Sequence, residues 1–506
     1  MSSPATDASV TAPLPIFAER PSWRDTFSAL RVFNYRLYVI AQLFANTTGW
    51  MQRIATDWLV LQLTGSIGLV GLTVALQCLP ILLFGVYGGV LADRLPKRVT
   101  ILITQATVAV LSGSLAVLAI TGAVELWHVY AIVFVIGMLQ VVEAPARSVF
   151  VNELVGHSHL RNAISVNASI FHLGGLLGPA IAGGMIVLVG AGWAIGINAA
   201  AGLITIGSLL LMRRSELRVA APVAAARGQI REAVRYVLSK PTIAWPMGML
   251  LFVAVFGMSM PTLLAGMANS AFGTGAQGYG LYNSFAAIGA LTGALLSTRR
   301  TSLRIRSVIL AGLAYGVFML SAGLAPVAPL FLAMLVGIGI TRLLFATAAE
   351  SLSQLTSNVA IRGRVMSIYM MIIIGGQAIG GPLLGFLADA LGPRQAFVLA
   401  GGVLTTAAIT LGILLARKGR LRLRVGFRQP RLVRIVERSE PRAVDTPSRT
   451  RAAGAERRRF AQARRFAVRP ITQARTTVTT LVRTGSAAVR PRRRSQRADA
   501  ARRSDS

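Results

Sequence analysis

Cysteine, charged residues and especially acidic residues are scarce in this sequence of 506 residues. The single cysteine, Cys78, excludes a disulfide framework and a cysteine-based metal site. Charged residues make up 14% of the chain, against about 25% in soluble globular proteins, so an ordinary soluble enzyme is not expected. Apolar residues are abundant instead: 54% of the chain is hydrophobic and the mean hydropathy is +0.61.

The excess of basic over acidic residues is concentrated towards the C-terminus. Over the whole chain 52 Lys and Arg stand against 18 Asp and Glu, and from Arg417 onward the numbers are 27 and 6. The chain therefore divides into an apolar body, which extends to residue 416, and a basic tail.

The body contains about twelve apolar runs that are long enough to cross a bilayer, which takes about 20 residues of helix. Their approximate positions are 35–60, 68–92, 99–121, 127–149, 163–190, 193–212, 243–268, 278–298, 304–325, 328–350, 365–389 and 394–416. A large soluble all-α protein would need charged helix faces, and these runs lack them. The sequence therefore predicts an all-α integral membrane protein.

The charges between the runs alternate along the chain. Every second connection carries Lys or Arg, as at 94–98 and 362–364, and the other connections carry only Arg394. Because cytoplasmic loops retain Lys and Arg, the pattern predicts a multi-pass protein of the cytoplasmic membrane with both termini in the cytoplasm. The first 34 residues are polar and lack an apolar core, so no cleavable signal peptide is expected.

A long basic connection at 213–242 divides the body into two similar halves. LRNAISVN from Leu160 and IRGRVMSIY from Ile361 each lead into a Gly-Pro step, with spacings of 201 to 203 residues. Two similar halves around one substrate site are typical of a large class of secondary transporters. The predicted segments are a cytoplasmic N-terminal segment 1–34, a first six-helix bundle 35–212, a cytoplasmic linker 213–242, a second bundle 243–416 and the tail 417–506.

Several motifs resemble a known family. GGVLADRLPKR at 88–98 resembles the loop between the second and third helices of the major facilitator superfamily. Four segments resemble the bacterial branch that includes enterobactin exporters and macrolide-efflux-like proteins: GWMQRIATDWLVLQLTGS at 49–66, APARSVFVNELVG at 144–156, NAISVNASIF at 162–171 and RGRVMSIYMM at 362–371. The resemblance implies the major facilitator fold, with about twelve transmembrane helices in two pseudo-symmetric six-helix bundles. It also implies a secondary transporter, most often an exporter driven by proton exchange.

The loop at 88–98 is the candidate conformational gate. Its residues of interest are Gly89, Asp93, Arg94, Lys97 and Arg98. A carboxylate here can accept hydrogen bonds from a facing helix N-terminus or an arginine, and such bonds break when the two halves rock apart. The alternative is that the basic residues only fix the topology.

Charged residues inside the apolar runs are candidates for proton coupling or for the cavity, because each costs about 2.5–3.5 kcal/mol near the bilayer centre on insertion scales. Arg53 and Asp57 lie four residues apart in the first run, and Glu143 and Arg147 repeat the spacing in the fourth. Residues at this spacing can pair along one helix face. Each pair therefore serves either in proton coupling or as a static brace between helices.

Arg342 lies in the middle of the tenth run, and Glu350 is eight residues on, about 12 Å along a helix and too far for direct pairing. An arginine at that depth should face water, an anionic substrate or an acid on another helix. His172 is either a proton relay or a neutral packing residue. Gln52 and Gln140 are candidates for the cavity wall, because the resemblance implies that the first, fourth, seventh and tenth helices line it.

The fifth predicted helix contains the run GGLLGPAIAGG, with Gly174, Gly178, Pro179 and Gly183. The run resembles the Gly-Pro motif of proton-coupled antiporters. Pro179 removes a backbone donor, so a bend that accompanies the switch between states is expected there. Close helix packing through small residues is the alternative.

No G-x-x-x-x-G-K-[ST] phosphate loop, H-E-x-x-H motif or paired-cysteine motif occurs in the sequence. We therefore expect no catalytic residue, no metal site and no cofactor. The expected partners are a small-molecule substrate, protons as the coupling ion and the lipid bilayer, and a monomer is expected. For the Arg-rich tail we expect disorder or short induced helices and contact with anionic lipid headgroups. Nucleic-acid binding is the alternative for the tail, which its few aromatic residues disfavour.

The function expected from these features is proton-coupled efflux of an amphipathic small molecule by alternating access. A drug, a macrolide or a siderophore fits this description. The alternative is a lipid-handling, flippase-like protein or a membrane sensor that acts through its basic tail.

Overall fold

The computed structural model describes residues 28–216, 229–298, 305–418, 421–425 and 433–437. The chain divides into two units, residues 1–419 and 420–506. Most of the predicted segment 1–34, the centre of the predicted linker and most of the predicted tail lie outside the described residues.

Six long helices follow one another in the first half of the chain. They are α1 (Phe33–Thr64), α2 (Ile67–Arg94), α3 (Lys97–Thr121), α4 (Leu126–Gly156), α5 (Asn162–Val189) and α6 (Ala191–Leu211). Gly65 and Gly122 end α1 and α3 in the left-handed conformation, which glycine adopts without steric cost. Gly156, with φ 66° and ψ −179°, breaks the helix between α4 and α5.

A short amphipathic helix, α7 (Gln229–Ser239), precedes the second half. The second six are α8 (Pro241–Ala271), α9 (Gly275–Thr298), α10 (Ile305–Gly323), α11 (Ala328–Thr356), α12 (Val359–Leu391) and α13 (Pro393–Lys418). Two π-helical turns, Val253–Gly257 and Met267–Ala271, interrupt α8. Turns of this kind are rare and occur frequently at functional sites.

Within the described residues, ten of the twelve long helices are long and apolar enough to cross a membrane. The remaining two, α1 and α9, carry polar side chains in their central turns, including Arg53 and Asp57 in α1 and Asn283 in α9. Hydropathy alone therefore fails to recognise α1 and α9 as membrane spans, because their polar residues face other helices. The predicted all-α membrane body is confirmed.

The two sets of helices pack into bundles with corresponding internal contacts. In the first bundle α3 packs on α6 and α2 on α4; in the second, α10 packs on α13 and α9 on α11. Between the bundles, α2 packs along α12 and α5 along α9. The second helices of the two bundles are α2 and α9, and the fifth helices are α5 and α12. Each contact between the bundles therefore joins the second helix of one bundle to the fifth helix of the other, as the predicted pseudo-symmetry requires.

In the second unit, β1 (Leu421–Val425) and β2 (Val433–Glu437) form an antiparallel pair. The sequence predicted disorder or short helices for this stretch, and the structure differs. The reason is the alternation of apolar and basic residues in LRLRV, whose period of two suits a strand. In the register of the pair, Arg424 is the partner of Arg434.

Candidate functional site

The helical body has two ends, which are distinguished by their connections. We call the end that carries residues 64–67 and 389–393 the Asp389 end, and the opposite end, with residues 94–98, the Arg98 end. Alternation of the helices places the starts of α2 and α9 and the ends of α5 and α12 at the Asp389 end.

A cavity of about 560 Å³ lies in the first bundle, and we call it the first-bundle cavity. All six helices of that bundle contribute to its wall, which extends from Asp57 and Thr73 towards Tyr38 and Val151, nearer the Arg98 end. Its amide side chains are those of Gln42, Asn46, Gln52, Gln77, Gln105, Gln140, Asn167 and Asn198. Buried polar groups need hydrogen-bond partners, so this wall favours a polar or amphipathic occupant.

The wall of this cavity differs from the one that the resemblance implied. The first and fourth helices line it, as expected, but none of the described residues of the second bundle does. Arg342 and Glu350, both on α11, therefore lie outside it, and Glu350 accepts a hydrogen bond from Gln354 at 3.1 Å. A transport role for these two residues stays a prediction.

Glu143 and Arg147 form an ion pair one turn apart on α4. Arg147 also donates to Gln42 of α1, and Glu143 accepts a hydrogen bond from Gln105 of α3 at 2.6 Å. Glu143 is 1% exposed, and a buried charge is tolerated only when it is paired and hydrogen-bonded. The pair joins three helices, so its geometry favours the bracing role.

Gln52 is also tied into the wall of the cavity. Its side-chain carbonyl accepts hydrogen bonds from the Ser112 hydroxyl at 2.9 Å and from the Asn198 amide. Asn198 in turn accepts a hydrogen bond from the Thr48 hydroxyl at 2.8 Å. The network connects α1, α3 and α6, whereas Gln140 lines the cavity from α4.

Asp57 connects the first-bundle cavity to the second bundle. The carboxylate is 2% exposed and accepts a hydrogen bond from the Tyr279 hydroxyl of α9 at 3.2 Å. The Tyr279 ring stacks on Trp58, with the ring centroids 6.0 Å apart. The spacing of Arg53 and Asp57 allowed an ion pair, but among the described residues no nitrogen–oxygen contact within 4 Å joins them. The partner of Asp57 is therefore a tyrosine 222 residues away.

A second contact between the bundles lies at the Asp389 end. Asp389 of α12 accepts hydrogen bonds from the Ser66 hydroxyl at 2.5 Å, the Ile67 amide at 2.7 Å and the Gly68 amide at 2.9 Å. The two amides belong to the first turn of α2, where backbone N–H groups have no acceptor within the helix. The helix dipole also favours a negative charge at this position. Asp389 was not among the predicted site residues, because its only signal in the sequence is one acidic residue at the end of a predicted span.

Glycines allow the helices of the two bundles to touch near the same end. A Cβ built on Gly183 of α5 would lie 2.7 Å from the Cα of Gly280 in α9. A Cβ built on Gly381 of α12 would lie 2.7 Å from the carbonyl oxygen of Gly71 in α2. Real Cβ atoms do not approach backbone this closely, so both crossings require glycine.

Arg98 of the predicted gate binds within its own bundle. Its guanidinium donates to the carbonyl of Leu209 at 2.9 and 2.5 Å and to that of Leu210 at 3.2 Å. These carbonyls belong to the last turn of α6, where a cation is favourable. Arg94 is exposed, and Lys97 donates to the Leu95 carbonyl at 3.1 Å.

The two remaining residues of the predicted gate are Asp93 and Gly89. The side chain of Asp93 lies outside the described part, so its latch role stays a prediction. A Cβ on Gly89 would meet nothing within 4 Å, whereas one on Gly88 would clash with the backbone of Val141. Gly88 is therefore the glycine that the packing of α2 on α4 requires.

The predicted antiporter-like run packs α5 closely on α1. A Cβ on Gly174 would lie 3.0 Å from that of Asn46, and one on Gly178 would lie 2.6 Å from that of Trp50. The backbone stays helical through Pro179, and the break lies earlier, at Gly156. These contacts fit close packing, and a bend at Pro179 during the switch between states stays a prediction. The side chain of His172 lies outside the described part of the structure.

Comparison with known proteins identifies the family. A family profile described as "Transmembrane secretion effector" matches residues 24–426. The chain belongs to this family of the major facilitator superfamily. The transporter is 28% identical over 425 residues to the enterobactin exporter EntS of Citrobacter koseri, covering 81% of this chain and 97% of the relative. It is 26% identical over 407 residues to the enterobactin exporter EntS of Shigella flexneri, covering 80% and 97%.

Solved structures of other transporters share the fold. A POT family transporter bound to a thioalcohol-conjugated peptide superposes with a TM-score of 0.61 at 12% identity, covering 76% of this chain and 96% of that chain. A bacterial Spinster homologue in an inward-facing, occupied conformation gives 0.60 at 16% identity, covering 76% and 97%. The prediction of a major facilitator resembling enterobactin exporters is confirmed, and the protein is a multi-pass secondary transporter of the efflux type.

No cluster of three or more His, Cys, Asp and Glu side chains that could hold a metal ion occurs in the described part of the transporter. The polar groups of the site are instead amides, hydroxyls and the four charged residues of the cavity wall.

Proposed function

We propose that this transporter exports amphipathic small molecules in exchange for protons by alternating access. The observation that carries the proposal is the position of Asp57. Its carboxylate lines the first-bundle cavity and also accepts a hydrogen bond from Tyr279 of the second bundle. Protonation of this group therefore changes both the charge of the cavity wall and the hydrogen bond between the bundles.

The surroundings of Asp57 support this role. Arg53 lies one turn away on the same helix, and Tyr279 approaches from α9 with its ring against Trp58. A neutral carboxyl group attracts Arg53 less than a carboxylate does, and it accepts a weaker hydrogen bond from the Tyr279 hydroxyl. Protonation thus weakens the contact that holds α1 to α9, which is the change that a switch between states needs.

The alternating-access part of the proposal rests on the contacts between the bundles. The cap of α2 by Asp389 and the glycine crossings of α5 with α9 and of α2 with α12 lie at the Asp389 end or next to it. The first-bundle cavity extends towards the other end. A rigid-body rocking of the bundles would break the three hydrogen bonds to Asp389 and open that end.

We also propose that the Arg98 end faces the cytoplasm, which places both termini there and the protein in the inner membrane. The support is the distribution of Lys and Arg among the connections. With this orientation, the described conformation is closed to the outside, and opening of the Asp389 end releases the substrate outward.

The substrate class that we propose is an amphipathic small molecule such as a siderophore or drug. The exporter relatives support a siderophore, since both are named for enterobactin. The cavity wall supports an amphipathic molecule, because it combines amides with Trp50 and Phe171.

For the basic tail we propose association with anionic lipid headgroups rather than nucleic acid. The support is the composition of the segment, which carries 27 Lys and Arg against 6 Asp and Glu from Arg417 onward, since cations beside a membrane surface are attracted to anionic headgroups. A chain ending after Arg417 that still exports substrate but binds phosphatidylserine vesicles less well would support it. Loss of export with unchanged vesicle binding would contradict it and favour a sensor role.

Transport into proteoliposomes tests the export proposal. Purified protein is reconstituted, and the movement of enterobactin and of ethidium is followed with and without an imposed pH gradient. We expect the gradient to drive movement, and Asp57→Asn to abolish the response to the gradient while ligand binding is retained. Gradient-driven transport by Asp57→Asn at the wild-type rate would remove Asp57 from the coupling mechanism.

A further inference from the structure

We propose that Arg53 and Trp50 form an anion subsite in the first-bundle cavity, which takes the negatively charged group of a substrate that also carries a planar aromatic part. This inference rests on the proposed export function and specifies the substrate class. We call the pair the Arg53 subsite.

Of the two cations in the cavity wall, Arg53 is the one without an ion pair among the described side chains. The four charged residues of the wall are Arg53, Asp57, Glu143 and Arg147. Glu143 and Arg147 neutralise one another, and Asp57 is hydrogen-bonded to Tyr279. The described structure gives Arg53 no ion pair, and its Nε is buried without a hydrogen-bond acceptor.

An arginine in this position is poised for an external acceptor. Arg53 is half-buried in the cavity wall, and the planar fork of a guanidinium matches the two oxygens of a carboxylate or a similar anion. The substrate is the group that can supply those oxygens inside the cavity. A charge-assisted, bidentate contact would also orient the substrate in the wall of α1.

The aromatic part of the subsite adds a second requirement. The Arg53 Cζ lies 5.9 Å from the centre of the Trp50 ring, and that ring meets Phe171 edge-on at 5.8 Å. Both rings line the cavity. A planar group attached to the anion can therefore lie against Trp50 while its charge reaches Arg53.

A third group points to the polarity of the remaining substrate. The Oδ1 atom of Asn167 is buried and has no hydrogen-bond partner among the described residues, and Asn167 lies one turn before Phe171 on α5. A carbonyl oxygen requires a donor. The substrate is therefore expected to carry an N–H or O–H group on the side that faces α5.

Asp57 competes with such a substrate for Arg53. The two residues are one helical turn apart, so the charge of Asp57 repels an anion bound at Arg53. Removal of that charge by Asp57→Asn is expected to tighten anion binding, whereas it should leave the binding of a neutral analogue unchanged. This difference between a charged and a neutral ligand is expected if the anion binds next to Asp57, as it does in the Arg53 subsite.

Titration with two matched probes tests the inference. Purified transporter in detergent is titrated calorimetrically with 1-naphthoate and with 1-naphthamide, which share the ring system and differ in charge. We expect naphthoate to bind wild-type protein about tenfold more tightly, the effect of one charge-assisted contact. Arg53→Gln should abolish the preference, and Arg53→Lys should retain part of it. The matched control is Arg36→Gln, an exposed arginine of the same helix outside the cavity wall, which should leave the preference intact.

The wild-type comparison alone can overturn the inference, even if Arg53→Gln does not fold. Equal affinity for the two probes, or a preference that survives Arg53→Gln, would contradict it. Equal affinity together with intact gradient-driven efflux would reject the Arg53 subsite and leave the export proposal standing. A naphthoate preference without any gradient-driven efflux would support the subsite and contradict the export proposal.

Discussion

Asp389 of the second bundle caps the first turn of α2 in the first bundle, and Ser66 is its hydroxyl partner at 2.5 Å. The same carboxylate also binds the two amides that follow Ser66. Because these bonds join the bundles, a rocking motion that opens the Asp389 end must break them. A carboxylate bound at a helix N-terminus is the interaction that was predicted for a gate at the 88–98 loop. Here it occurs at the opposite end of the helical body.

Asp389→Asn is expected to shift the transporter towards states that are open at the Asp389 end. The substitution removes a charge-assisted cap worth about 1 kcal/mol, which changes a two-state ratio about fivefold. The reporter is Ile67→Cys in a Cys78→Ala background, because Ile67 is 5% exposed and its side chain packs against Gly266 of the second bundle. Its reaction with a membrane-impermeant maleimide therefore reports opening of the Asp389 end. Labelling should become faster in the Asp389→Asn variant.

The control for this experiment is Glu125→Gln. Glu125 caps α4 within the first bundle, so its loss weakens a cap without a contact between bundles. Equal labelling rates in the two variants would show that Asp389 does not hold the bundles together.

Gly183→Ala is expected to disfavour the described conformation. The new Cβ would lie 2.7 Å from the Cα of Gly280, and overpacking of this kind costs about 1–3 kcal/mol. Gly184→Ala is the matched control, because a Cβ there meets nothing within 4 Å. Thermal unfolding of the purified proteins should show a lower midpoint for Gly183→Ala alone. Identical midpoints would mean that the crossing of α5 and α9 is looser than described.

Tyr279→Phe is expected to alter the pH dependence of transport with little loss of stability. The variant keeps the ring contact with Trp58 and loses the hydroxyl that donates to Asp57, a bond worth about 1 kcal/mol. Tyr282→Phe serves as the control, since the Tyr282 hydroxyl is paired with Thr274 inside the second bundle. If the transport–pH profile shifts in both variants, or in neither, the Tyr279 hydroxyl has no specific role in proton coupling.

Arg98→Ala is expected to destabilise the first bundle by about 1–3 kcal/mol, because it leaves the carbonyls at the end of α6 without their charged donor. Arg94→Ala removes an exposed cation from the same loop and should have a small effect on stability. Chemical unfolding in detergent measures both. A loss in Arg98→Ala no larger than that in Arg94→Ala would contradict the role assigned to Arg98.

The fold could be predicted from the sequence because its main signals are local. Runs of about 20 apolar residues set the helices, and the two Gly-Pro steps at Gly178 and Gly381 revealed the repeat. The Glu143–Arg147 ion pair could also be predicted, since it depends only on the spacing of two residues on one helix. The hairpin that begins at Leu421 was missed because the basic composition of the tail outweighed its alternation of apolar and basic residues.

The contacts of the site were less predictable, because they join residues that are distant in sequence. Arg53 was the only candidate partner for Asp57 within one turn, but the hydrogen bond comes from Tyr279 on another bundle. Asp389 and Ser66 are 323 residues apart, and neither side chain is unusual for its local position. Such contacts depend on how the two bundles pack, which periodicity does not specify.

Distances measured at the two ends of the molecule test the central claim of alternating access most directly. In a Cys78→Ala background, spin labels are placed on exposed residues of opposite bundles, at Leu63 and Leu391 near the Asp389 end and at Leu95 and Leu355 near the Arg98 end. Substrate or a change of pH should lengthen the first distance and shorten the second. Distances that stay fixed, or that change in the same direction at both ends, would contradict the account.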